Sequence, residues 1–159
     1  MIAGRNLALL VGIAVAASSC ESPSDLKDAP EYATKLDVQF RADARPGERY
    51  PFEVVLDVEL HNTSNSNRHV TWGGCGIEAQ YYRNGSRVNI SPPPPTACDD
   101  ILHMAGLEPL QRRTLREAVV PDISRTLSPG RYKIIMVFTG EIDDVDVRLA
   151  IDAGDVDLQ

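Results

Sequence analysis

The strongest constraint on the fold is a strict alternation of apolar and polar residues that recurs along the chain. It is clearest in residues 52–61, F-E-V-V-L-D-V-E-L-H, where almost every second side chain is apolar. A period of two predicts a strand with one buried face. Residues 36–40, 132–138 and 145–151 repeat the pattern, and no segment shows a long helical period. The sequence therefore predicts an all-β fold.

Turn signals divide the chain into short strands. Asn84-Gly85 lies between two apolar segments and predicts a hairpin that pairs residues 77–82 with residues 87–90. Further strands are predicted at residues 69–72 and 111–120, and one helical turn is expected within residues 99–106.

No helix is long enough to join parallel strands, so the sheets should be antiparallel. The number and length of the strands predict an immunoglobulin-like antiparallel β-sandwich of about seven to eight strands, spanning residues 34–159. Residues 132–138 carry apolar side chains on both faces and should form a central strand. Tyr132 follows the turn at residues 128–130 and suits a tyrosine corner. The polar run of residues 61–69 predicts a turn.

Residues 1–19 have the organisation of an export signal. Arg5 precedes an apolar run at residues 7–17, which is shorter than the ~20 residues needed to span a bilayer but typical of a signal peptide. The small residues 17–19 before Cys20 resemble the lipobox of bacterial lipoproteins. That resemblance implies cleavage before Cys20, acylation of Cys20 by chains such as palmitate, and a membrane anchor. The alternative is a plain secretory signal that leaves Cys20 as a free thiol.

The remaining N-terminal residues and the net charge bear on location and partners. Residues 20–33 are rich in Ser, Pro and Asp and are expected to form a flexible tether between anchor and domain. The chain has 23 acidic and 16 basic residues, a formal net charge of −7, which argues against nucleic-acid binding. We expect a bacterial cell-envelope protein, anchored on the periplasmic or extracellular face, whose partners are the membrane and an envelope protein or protease.

The cysteine count fits this location. If Cys20 carries lipid, Cys75 and Cys98 remain as an even pair in an oxidising compartment, which favours a disulfide bond. A metal site or a nucleophilic cysteine is the alternative, but the sequence has no C-x-x-C motif. Trp72 is then interpreted as an aromatic residue at a strand end, packed beside the bridge.

The order of motifs resembles the BsuPI-type family of bacterial intracellular proteinase inhibitors. Four stretches carry the likeness: residues 58–64 (V-E-L-H-N-T-S), 77–88 (I-E-A-Q-Y-Y-R-N-G-S-R-V), 106–110 (G-L-E-P-L) and 127–132 (L-S-P-G-R-Y). The resemblance spans roughly residues 36–151. It implies an immunoglobulin-like sandwich and, as an alternative function, proteinase inhibition, but it assigns no inhibitory residue.

Catalytic and metal sites have little support in the sequence. No G-x-S-x-G elbow accompanies the Ser and His residues, so we expect no enzyme activity. His61 and His69 could share a metal if they face each other across a hairpin, but no third ligand is evident. The acidic stretches 141–146 and 152–157 lack the spacing of an EF-hand loop. No metal and no cofactor are therefore expected.

Two surface features remain as candidates for binding. Arg112, Arg113 and Arg116 form the basic cluster of the chain, which is interpreted as a solvated strand face, with a partner or headgroup patch as the alternative. The loop between the paired cysteines presents four consecutive prolines, Pro92, Pro93, Pro94 and Pro95. A stiff segment loses little conformational entropy on association, so this loop is a candidate binding loop. The sequence favours a non-catalytic interaction or structural module, with a solute- or metal-binding domain as second alternative.

Overall fold

The computed structural model describes residues 23–50, 52–88, 101–119 and 127–159. These residues form one 3₁₀ helix, Pro23–Asp28, followed by ten strands. The strands are β1 (Tyr32–Lys35), β2 (Val38–Pro46), β3 (Val54–Asn62), β4 (Arg68–Trp72), β5 (Ile77–Arg83), β6 (Ser86–Arg87), β7 (His103–Leu107), β8 (Arg112–Val119), β9 (Gly130–Ile142) and β10 (Val145–Leu158). Within this part of the chain no helix is long and apolar enough to cross a membrane.

The strands form two antiparallel sheets that pack as a β-sandwich. One sheet has the order β1-β2-β3-β8. In the other sheet, β9 pairs along its length with β10 on one side. On its other side β9 pairs with β5 and, further along, with β4. β6 pairs with the outer side of β5, and β7 with the outer side of β4. This architecture confirms the predicted all-β, immunoglobulin-like sandwich.

Alternation along the strands builds the core between the sheets. Burial along β3 switches at every residue, and the inward side chains Val54, Leu56, Val58 and Leu60 are buried. Phe40 on β2 meets Phe138 on β9 across the interface, with ring centroids 4.9 Å apart. In β9 the side chains of residues 134–138 are all buried, on both faces, which confirms that this strand is central.

Local turn predictions are confirmed in two places. Asn84 and Gly85 have φ angles of 52° and 75°, as a two-residue turn between β5 and β6 requires. The Tyr132 hydroxyl donates to the carbonyl oxygen of Ser128 at 2.6 Å, and the Ser128 N–H donates back to the hydroxyl at 3.2 Å. Tyr132 thus forms the predicted tyrosine corner.

Two local predictions are corrected. Residues 103–107, expected to contain part of a helical turn, form β7, because β4 offers a hydrogen-bonding partner for every residue of this segment. The polar run after β3 does not close a hairpin: it crosses between the two sheets, since β3 and β4 lie in different ones. The eight predicted strands are otherwise present, with β1 and β7 as additions.

The predicted N-terminal tether overlaps ordered elements. The 3₁₀ helix lies at residues 23–28, and β1 begins at Tyr32. The carbonyl oxygen of Pro30 accepts a hydrogen bond of 2.9 Å from the N–H of Asp152 on β10. This part of the N-terminal segment therefore packs along the second sheet, and the flexibility of residues 20–33 stays a prediction.

Candidate functional site

The outer strands of the two sheets differ in how they protect their free edges. Edge strands carry unpaired backbone groups, and proteins usually guard them with charges or keep them very short. Among the five edge strands in the described part of the chain, β1, β6, β8 and β10 each contain at least one Lys, Arg or Asp. β7, H-M-A-G-L, contains no Lys, Arg, Asp or Glu. It is the least protected of these edges.

Exposed apolar side chains lie on β7 and on the two residues directly before it. Leu102 is 72% exposed, Met104 66% and Ile101 58%. Leu102 and Met104 are two residues apart and therefore lie on one face, while Ile101 precedes them on the other. In the sequence this uncharged segment is bracketed by Asp99-Asp100 on one side and Glu108 on the other. Exposed apolar side chains that lie together on an edge strand are typical of an interaction surface.

Burial on its inner side holds β7 in place. Ala105 and Leu107 are buried in the core, next to Val70 and Arg68 of β4 in the register. The imidazole of His103 stacks on the indole of Trp72, with centroids 5.5 Å apart and planes 11° apart. Trp72 is thus an aromatic residue at a strand end, as predicted, and it fixes the start of β7.

Asn62 fixes the other end of β7. Its side chain is fully buried at the end of β3. The Nδ2 group donates to the carbonyl oxygens of Leu107 (3.3 Å), Glu108 (2.9 Å) and Ser66 (2.7 Å). Its Oδ1 accepts from the N–H and the hydroxyl of Ser64. One amide therefore connects the first sheet to the end of the exposed edge strand of the second.

The stretch W-G-G-C-G, residues 72–76, contains the loop that joins β4 to β5. Both strands pair with the same edge of β9, and the loop leaves that edge between them. The N–H of Gly76 donates to the carbonyl of Gly73 at 2.8 Å, and the carbonyl of Gly76 accepts from Thr139 at 2.7 Å. A Cβ on Gly76 would lie 2.6 Å from the Cβ of Trp72, so only glycine fits here. Gly140 is equally confined, by Thr71 and Trp72.

The site residues predicted from the sequence fall partly outside the described residues. Cys20, Cys98 and the loop of Pro92, Pro93, Pro94 and Pro95 lie in ranges that the structure does not describe. Cys75 lies half-buried in the loop between β4 and β5 and is not free. The lipid anchor, the Cys75–Cys98 pairing and the proline binding loop therefore stay predictions.

The histidines do not converge. His61 lies on β3 in the first sheet and His69 on β4 in the second, so they do not face each other across a hairpin. His103 is engaged in the stack on Trp72. Over residues 23–50, 52–88, 101–119 and 127–159, no group of three or more His, Cys, Asp or Glu side chains has a geometry that could hold a metal ion.

The acidic C-terminal stretches make ion pairs within the fold. Asp143, in the β9–β10 turn, accepts from the guanidinium of Arg68 at 3.0 Å and from the N–H of His69 at 2.9 Å. Arg68 also donates to Asp37 at 2.6 Å, and these two carboxylates raise the pKa of Arg68. Further along, Asp152 pairs with Lys133 at 2.9 Å.

The arginines of β8 form a cross-strand ladder on the outer face of the first sheet. Arg112 contacts Glu59 at 2.6 Å and Arg116 contacts Asp57 at 2.7 Å. The Arg116 hydrogen bond holds the pKa of Asp57 below its usual value. This arrangement agrees with the interpretation of a solvated, ion-paired face.

The exposed edge was missed at the sequence level, although one signal was present. Residues 101–107, I-L-H-M-A-G-L, form an uncharged run in a chain of which 25% is charged. Such a run is compatible with a buried strand, a helix or an edge, and only its single neighbour β4 in the described sheet identifies the edge.

Comparison with known proteins gives only distant similarity. No family model matches the chain, and no curated protein matches it significantly. Among solved structures, the "apo PmoF2 PCuAC domain" has 18% identity and a TM-score of 0.41, over 78% of this chain and 92% of that chain. The "Copper-bound PCuAC domain from PmoF2" has 15% identity and a TM-score of 0.40, over 77% and 95%. Similarity at this level says nothing about what this chain binds.

Proposed function

We propose that this protein is a non-catalytic binding module of the bacterial cell envelope, which holds an extended segment of a partner protein against the edge of β7 that has no neighbour among the described strands. The observation that carries the proposal is the uncharged edge strand with Leu102 and Met104 exposed beside it. An added strand gains main-chain hydrogen bonds from such an edge, and alternate side chains give specificity. The envelope location rests on the lipobox resemblance of residues 17–20.

The chemistry of the surface restricts the occupant. Leu102 and Met104 share one face, so a partner strand should place apolar side chains at alternate positions. The carboxylates of Asp99, Asp100 and Glu108 flank the segment in sequence, which favours basic residues at the ends of the partner strand. A second copy of this chain fits less well, because each copy carries a formal charge of −7 and copies repel one another.

A test places a photo-crosslinking residue at Leu102 in the anchored full-length protein. Crosslinking in its own envelope should capture a partner through an extended apolar segment, and a peptide of that segment should slow hydrogen exchange of the β7 amides. The matched control is the same residue at Tyr32, which is 59% exposed on β1, another edge strand. Equal capture from both positions, or binding that leaves β7 exchange unchanged, would refute the proposal.

A charge-insertion variant sharpens the same test. Leu102→Lys together with Met104→Lys adds positive charges at the β7 edge, which disfavour the addition of another strand, as the arginines of β8 do at its edge. Partner binding should fall at least ~10-fold while the unfolding free energy changes by less than ~0.5 kcal/mol, since both side chains are exposed. Tyr32→Lys should leave binding unchanged.

The alternatives give different outcomes with the same purified protein. A BsuPI-like proteinase inhibitor would lower the activity of at least one protease in a panel. A solute- or metal-binding domain would raise the melting temperature when its ligand is added. If either response is obtained while hydrogen exchange of the β7 amides stays unchanged, the corresponding function replaces strand addition as the principal one.

A further inference from the structure

A groove of about 510 Å³ lies at the opposite end of β9 from the β7 edge. It is formed by the end of the 3₁₀ helix at Lys27, the end of β5 with the β5–β6 turn at Asn84-Gly85, the start of β9, and Asp155 of β10. Its volume lies within the ~300–1,000 Å³ range of small-molecule sites.

Basic side chains converge on this groove although the chain as a whole is acidic. Lys27 comes from the N-terminal segment, while Arg131 and Lys133 come from one face of β9. Arg131 is paired with Asp155 at 3.1 Å and Lys133 with Asp152 at 2.9 Å. Lys27 has no ion pair with any other residue that the structure describes. The groove therefore presents the Lys27 ammonium group, with Asp28 beside it, and two further cations that are each paired with a carboxylate of β10.

Tyr82, which carries a hydroxyl group, also lines the groove. Tyr82 is only 3% exposed, lies directly opposite Lys133 in the β5–β9 register, and donates to Oε1 of Gln80 at 3.3 Å. Burial raises the pKa of Tyr82, so the hydroxyl remains protonated. Its hydrogen bond to Gln80 is long for a hydroxyl donor, so the hydroxyl can rotate toward a ligand, at the cost of leaving Gln80 Oε1 without that donor.

We propose that this groove binds a phosphate group, with Lys27 and Lys133 as the ammonium contacts, Arg131 as the guanidinium contact and Tyr82 as a hydroxyl donor. A phosphate accepts several hydrogen bonds at once, and a guanidinium matches two of its oxygens. Asp28 and Asp155 also line the groove, so its lining carries three positively and two negatively charged side chains.

Two sources can supply the phosphate, a phospholipid headgroup or a soluble phosphate compound. Lys27 is seven residues after Cys20. A fully extended chain covers ~3.3–3.6 Å per residue, so a lipid-anchored Cys20 would keep the groove within ~25 Å of the acyl chains. The site is separate from β7, so its failure would leave the strand-addition proposal untouched.

The test uses the full chain, reconstituted in nanodiscs, and follows the amide resonances of Tyr82, Gly85 and Lys133. One arm adds inorganic phosphate to discs of phosphatidylcholine, with chloride at equal ionic strength as reference. The other compares discs of phosphatidylcholine with discs that also contain phosphatidylglycerol. A shift in the first arm identifies soluble phosphate as a ligand, and a shift in the second identifies a headgroup. No shift in either arm overturns the proposal.

Variants separate the groove from general charge effects. Lys27→Gln and Arg131→Gln, both exposed changes, should each weaken the response about tenfold, the loss expected for one charge-assisted contact. Lys35→Gln is the matched control, since it removes an exposed lysine at the end of β1 remote from the 3₁₀ helix. If Lys35→Gln weakens the response as much as Lys27→Gln does, the response is diffuse attraction and the groove is not a site.

Discussion

β7 and β8 follow each other in the chain, yet they are opposite kinds of edge strand. β8 borders the first sheet with Arg112, Arg113, Arg116 and Glu117, whereas β7 borders the second with no charge and with Met104 exposed. Both strands pair with only one described neighbour. The difference shows that a sandwich can protect one edge from association and leave the other available, within a single short stretch of sequence.

The two edges are also held by different forces. β8 gains ion pairs to β3 between partly exposed side chains, which contribute little each and are screened by salt. β7 is held by buried side chains, by the Trp72–His103 stack and by the Asn62 amide. Substitutions at the supports of β7 should therefore cost much more stability than substitutions in the β8 ladder.

The largest effect is expected from Trp72→Ala. Removal of a buried indole costs about 3–5 kcal/mol of unfolding free energy, and here it also removes the stack on His103. Chemical denaturation measures the loss, and hydrogen exchange should show faster opening of β7 than of β8. Trp72→Phe, which keeps an aromatic ring, should recover part of the stability. Equal loosening of both strands would show that the two edges are one cooperative unit.

A smaller but still large effect is expected from Asn62→Ala. The change leaves the carbonyls of Leu107 and Glu108 without their donor, and each unmet buried partner costs about 1–3 kcal/mol. Urea unfolding measures the loss. Ser64→Ala is the control, because it removes the hydroxyl bonds to Asn62 Oδ1 and to the backbone of Ser66 but leaves the Asn62 donor to β7 in place, so it should cost less than Asn62→Ala. If the two variants are equally stable, Asn62 does not support β7.

The smallest effect is expected in the β8 ladder, and it depends on pH. The hydrogen bond from Arg116 lowers the pKa of Asp57 from its usual 3.8, so the pair stabilises the fold above that pH. The contribution is lost as pH falls through the lowered value. Asp57→Asn should therefore reduce stability near pH 6 by less than ~1 kcal/mol, and the difference should shrink as pH falls through the lowered pKa of Asp57.

Urea unfolding of both proteins across this pH range measures the difference. Asp43→Asn, in an ion pair with Arg41 whose side chains are 62% and 71% exposed, is the control and should change stability less. A pH-independent loss in Asp57→Asn would show that the β8 ladder acts through packing rather than charge.

Local patterns in the sequence were enough to predict the strands that alternate. The period of two in β3 states which side chains are buried, whatever the partner strand is, because successive side chains always point to opposite faces. Asn84-Gly85 and Tyr132 were equally predictable, since each acts on backbone within four residues. That β9 is buried on both faces was predictable from the successive apolar residues at positions 134–138.

Non-local pairing decided the rest. β7 is a strand because β4 lies beside it: Val70 pairs with Ala105, 35 residues later in the chain. Nothing within residues 101–107 distinguishes an edge from a core strand.

The sequence by itself determined the strands that alternate, their buried faces and their tight turns, because these depend on neighbours a few residues apart. Only the tertiary structure decided which strand became the unprotected edge, that residues 61–69 cross between sheets, and that Lys27, Tyr82 and Arg131 meet in one groove. Strand order and convergence of distant side chains arise when the two sheets close over their common core, and that closure is a property of the whole chain.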